Sequence, residues 1–162
     1  SLYEERLSIA VEIGDRRGQA TTLGNLALTY KRMGYLEKAV QTYYAALKID
    51  EELDDKRGMG LRWGNLGAAY ASLGESDKAV KAYASALQLH QEIGYLQGAA
   101  TWAWNLGECY LAVGQVEQAL SMMQITVDFE LAVDHPKAAA DALYLENLRQ
   151  QLDQAASIRR LK

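Results

Sequence analysis

Few side chains in these 162 residues are placed to do chemistry. His90 and His135 are the only histidines, and no Cys/His or Glu/His group has metal-ligand spacing. No metal site is expected. Cys109, the single cysteine, stands in the slot that holds Thr29 and Ala69 in earlier copies of a repeating unit, which marks it as a small packing residue without a base beside it. One cysteine forbids an intrachain disulfide framework and suits a reducing compartment, so a cytoplasmic setting is expected. The glycines fall at turns, packing slots and linkers, and none builds a phosphate-cradling loop. Without a constellation of acid, base or nucleophile, neither an enzyme nor a cofactor nor a small-molecule substrate is expected.

What does recur is a neutral amide. Asn25, Asn65 and Asn105 hold one position of a 40-residue period. An amide offers both donor and acceptor, which suits hydrogen bonding to an extended peptide backbone whatever its sequence; in the other reading each amide bonds the neighbouring helix. Charge is also patterned. Residues 16–34 carry Arg16, Arg17, Lys31 and Arg32, and residues 56–74 carry Lys56, Arg57 and Arg62, with no acid in either stretch of a chain whose net charge is -4. The acidic total argues against nucleic acid as partner, while the basic stretches would attract an acidic or C-terminal carboxylate segment. The competing reading is a pair of solvated helix faces.

The elements that carry these residues follow from period and spacing. Gly34, Gly74 and Gly114, and Ala39, Ala79 and Ala119, recur with the asparagines, so the chain is a repeat array whose units must stack to bury their apolar faces. Within a unit Leu23, Leu26, Ala27 and Tyr30, then Ala39, Tyr43, Ala46, Leu47 and Ile49, have helical spacing, which predicts two helices broken at Met33-Gly34-Tyr35 and its repeats. Gly14-Asp15, Asp54-Asp55, Gly94-Tyr95 and Asp134-His135 supply turns or caps between units, and Pro136 suits a first helical turn. No apolar stretch approaches the length that spans a bilayer, and no membrane association is expected.

Trp63-x-x-Leu66-Gly67-x-x-Tyr70, followed by Ala79 and Tyr83, resembles the tetratricopeptide repeat, in the 40-residue variety of kinesin light chains, Pins/LGN scaffolds and bacterial signal-transduction ATPases. The phrase Ile13-Gly14-Asp15-Arg16-Arg17-Gly18-Gln19-Ala20, leading into Leu23-Gly24-Asn25-Leu26-Ala27, is similar to the last two groups. The resemblance implies an all-α fold, a right-handed superhelical solenoid of antiparallel helix hairpins with about eight helices. The array is expected to fill residues 1–154: the second helix of a partial repeat at 1–15, full repeats at 16–55, 56–95 and 96–135, and a terminal or capping helix at 136–154, with 155–162 as a frayed tail. Opening in mid-repeat, the chain reads as a piece of a longer array.

The resemblance also implies that the first helix of each unit lines a concave groove. Its slots are Arg17, Thr21, Gly24, Asn25, Lys31 and Arg32; Arg57, Leu61, Gly64 and Asn65; and Thr101, Trp104 and Asn105. Gly24 and Gly64 would clear room for a close-approaching peptide, or serve close packing between units. Trp104 either gives the groove an aromatic wall or, with Trp102 beside it, belongs to the core. The expected function is a non-catalytic protein-protein interaction module that binds an extended acidic peptide in its groove. The alternative is an assembly element of a larger signalling protein that self-associates through its terminal half-repeats.

Overall fold

The computed structural model describes residues 2–160. Eight helices are present among them: α1 (Leu2–Glu12), α2 (Arg16–Arg32), α3 (Leu36–Glu52), α4 (Lys56–Ser72), α5 (Ser76–Glu92), α6 (Leu96–Ala112), α7 (Val116–Ala132) and α8 (Ala138–Arg160). Pro136 lies in the turn just ahead of α8, and α8 runs on through the stretch expected to fray. Of that tail, residues 161 and 162 lie outside the described residues.

The turns are built as the sequence predicts. Gly34 takes φ 81°, a left-handed conformation that ends α2 without steric cost and lets the Tyr35 N–H return to the Tyr30 carbonyl at 2.9 Å. Between hairpins the same backbone turn is made by Asp54 and Asp134, at φ 51° and 52°, a conformation that aspartate tolerates better than most residues. After Asp54, the Asp55 carboxylate caps α4 by accepting from the Gly58 N–H at 2.9 Å, and after Gly14, itself at φ 68°, the Asp15 carboxylate caps α2 by accepting from the Gly18 N–H at 2.8 Å.

Helices α1 to α5 form one compact unit and α6 to α8 a second. In the first, each helix packs on the next, and α2 also touches α4 directly. Close approach is licensed by small residues: Ala27, Ala39, Ala46, Ala79 and Ala86 are fully buried, and Gly67 lies against the Tyr83 ring, where an added Cβ would sit 2.8 Å from ring carbon. In the second unit α7 packs on both α6 and α8. Its core is Met123, Val127 and Leu145, and Trp104 and Ala142 pack against that cluster.

Candidate functional site

On α2 the side chains of Arg17, Thr21, Asn25 and Arg32 are exposed and Lys31 is half-buried; on α4 Arg57 and Leu61 are exposed and Asn65 is half-buried. Helical spacing puts each set along one stripe of its helix. The Thr21 hydroxyl donates to the Arg17 carbonyl of its own helix at 3.0 Å, and Thr101 does the same to Gln97 at 2.9 Å. The amides of Asn25, Asn65 and Asn105 make no hydrogen bond among the described residues.

Two parts of the expected groove need correction. Gly24 is buried beneath the Arg62 guanidinium, which occupies the room its missing Cβ leaves, so this glycine serves packing between hairpins and admits no peptide. Gly64 is buried as well. Arg62 itself, counted among the cations of the basic face, is only 8% exposed. Its Nε donates to Asp50 Oδ2 at 3.0 Å and a terminal nitrogen donates to the Ala20 carbonyl at 3.2 Å. Burial pushes the Asp50 carboxyl up and the Arg62 charge pulls it back, leaving it above the ordinary carboxylate value.

Two more cations are neutralised across the hairpins, because Arg16 pairs with Glu52 and Lys56 with Glu92. Arg17, Lys31, Arg32 and Arg57 form no ion pair among the described residues. Arg57 lies over the Tyr95 ring at 4.5 Å, and Lys31, desolvated and beside Arg32, has its pKa lowered. A like-charged, partly desolvated pair of this kind favours an incoming anion.

The α6 residues sit in a different setting. Thr101, Trp104 and Asn105 line a cleft of about 320 Å³ in the second unit, whose other walls include Glu130, His135 and Asp141. This settles the tryptophans: Trp102 is buried, while half-buried Trp104 packs on the α7–α8 core, lies 5.9 Å from the Tyr144 ring and still lines the cleft. Glu130 is 7% exposed; its Oε2 meets no N–H or hydroxyl donor among the described residues, its Oε1 faces His135 Nδ1 at 3.4 Å, and the Asp141 carboxyl lies within hydrogen-bond reach. Burial and then the Asp141 carboxyl push the Glu130 carboxyl above its usual range.

Sequence reasoning missed Glu130, Asp141 and the Arg62–Asp50 pair. A signal existed in the repeat alignment, since Asp50, His90 and Glu130 share one buried slot where an apolar residue would be ordinary. Cys109 is half-buried and its thiol is pushed up by burial and by Glu108, the opposite of an activated nucleophile. No group of three or more His, Cys, Asp or Glu among the described residues is arranged to hold a metal, and no helix there is long and apolar enough to cross a membrane.

Two tetratricopeptide-repeat profiles match, one over residues 61–126 and one over residues 20–53, together more than half the chain. The chain belongs to the tetratricopeptide-repeat family. No curated protein sequence matches it. Among solved structures it is similar to BtubC (BKLC) from P. vanneervenii, with TM-score 0.67 and 24% identity over 94% of this chain and 72% of that one. It is also similar to a putative kinesin light chain with TPR-like repeats from Podospora anserina, with TM-score 0.75 and 18% identity over 99% and 80%. The apo form of RapI gives TM-score 0.82 and 18% identity over 96% of this chain and 44% of that one. These likenesses establish the fold, and tetratricopeptide repeats as a family are protein-protein interaction modules.

Proposed function

We propose that the face made by α2 and α4 binds an extended, acidic segment of a partner protein. The observation that carries this reading is the pair of amides at Asn25 and Asn65, equivalent positions on helices that touch, neither of which is engaged within the fold. Each can offer a donor and an acceptor to a bound backbone. Arg17, Lys31, Arg32 and Arg57 supply positive charge that no carboxylate among the described residues has paired. Thr21 and Leu61 lie between the charged ends.

Titrating acidic peptides at low and high salt tests the reading. Asn65→Ala should weaken binding by about fivefold, the size of one net hydrogen bond, and Arg57→Glu by about tenfold or more with a shallower salt dependence. Unchanged affinity in both variants overturns the assignment.

A second reading, self-association, is favoured by α1, where Leu2, Ile9 and Val11 are exposed, with Ile13 just beyond the helix. Sedimentation should then show a concentration-dependent dimer that Ile9→Glu abolishes; monomer alone at high concentration removes this reading.

A further inference from the structure

Asp50, His90 and Glu130 hold one position of the repeat, and Arg62, Trp102 and Ala142 hold another. In the first unit these two positions close on each other: the Arg62 guanidinium reaches the Asp50 carboxylate and the Ala20 carbonyl while lying against Gly24. In the second unit the carboxylate is present without the cation. Glu130 stands for Asp50 and lines the 320 Å³ cleft with Ala100, Ala142 stands where Arg62 would be, and the Trp104 side chain takes the room that Gly24 leaves for the guanidinium. The Ala100 carbonyl, already an acceptor within α6, also accepts from the Thr126 hydroxyl at 2.7 Å, so this acceptor is satisfied by the fold.

The cleft is marked by Glu130 Oε2, a buried oxygen that meets no N–H or hydroxyl donor among the described residues, with the Asp141 carboxyl within hydrogen-bond reach of the same group. A second carboxylate, Asp141, lines the same cleft, and the Trp104 indole offers a flat aromatic wall. Two cationic groups line the cleft: His135 approaches the other Glu130 oxygen, and exposed Lys137 acts on Glu130 by its charge without an ion pair to it among the described residues.

We propose that this cleft receives an arginine side chain from a partner polypeptide, its guanidinium donating to Glu130 Oε2 and lying against Trp104. Arginine is favoured over lysine because its planar fork matches a carboxylate and stacks on an indole. The proposal rests on the chain's being an interaction module, and not on the α2–α4 face.

The test titrates the whole chain with a blocked pentapeptide bearing one central arginine, and with its citrulline and lysine counterparts, following the Trp104 indole N–H by NMR. The arginine peptide should shift that signal and bind about tenfold more tightly than the citrulline peptide, which keeps the shape and loses the charge. Glu130→Gln should cost about tenfold, and Ala142→Arg should abolish binding by placing an intrachain guanidinium in the seat. Should Ala142→Arg fail to fold, the near-isosteric Glu130→Gln still decides. Equal binding of arginine and citrulline peptides, no Trp104 shift at millimolar peptide, undiminished binding in Glu130→Gln, or lysine binding as tightly as arginine would each overturn the proposal. Asn65→Ala should leave this titration unchanged, and Glu130→Gln should leave acidic-peptide binding unchanged, so the two readings fail separately.

Discussion

Arg62 shows how the role of a charged residue is set by its surroundings. It is buried against Asp50, and removing it leaves a buried carboxylate without its donor, a change that costs about 3–5 kcal/mol in comparable pairs. We expect Arg62→Ala to lose stability on that scale in urea denaturation, with little rescue by Arg62→Lys, which lacks the fork. Glu130 makes a pH prediction. Its carboxyl is raised by burial and Asp141, with His135 and Lys137 the cationic groups facing it, so just above its ordinary value of 4.5 the folded chain binds more protons than the unfolded one. Its contribution to stability therefore falls as pH rises through that window. Thermal melts across it should show a smaller decline in Glu130→Gln; an identical decline would refute the assignment.

At the scale of elements, the hairpins depend on caps and on small residues at helix crossings. Asp55 caps α4 through the Gly58 N–H, and Asp55→Ala should cost about 1 kcal/mol. Ala79 is fully buried in α5, and Ala79→Leu should overpack the α4–α5 hairpin by about 1–3 kcal/mol. Both are read from urea midpoints, and an Ala79→Leu chain as stable as the parent would show that the hairpin can open to accept volume. These contacts were legible in the sequence because cap, turn and small residue recur at fixed offsets within one unit. The electrostatics were less legible, because the pairs that neutralise Arg16, Lys56 and Arg62 join different helices and follow no helical period.

For the whole molecule, a net charge of -4 coexists with a stretch of first-unit helix carrying cations and no acid, and Glu52 and Glu92 reduce that excess from the second helices. Partner binding at α2 and α4 should therefore weaken with salt less steeply than seven cations would require, which a titration at several ionic strengths measures. The period, the helices, the hairpin turns and the alanine crossings were determined by the sequence alone, since each depends on residues close together in one copy of the unit. Tertiary structure alone decided that Gly24 shelters a guanidinium, that Trp102 is buried while Trp104 lines a cleft, and that Glu130 lacks the donor Asp50 has. Those outcomes depend on which side chain a neighbouring hairpin brings across, and it is there that the copies differ: Arg62, Trp102 and Ala142 share a slot but not a chemistry.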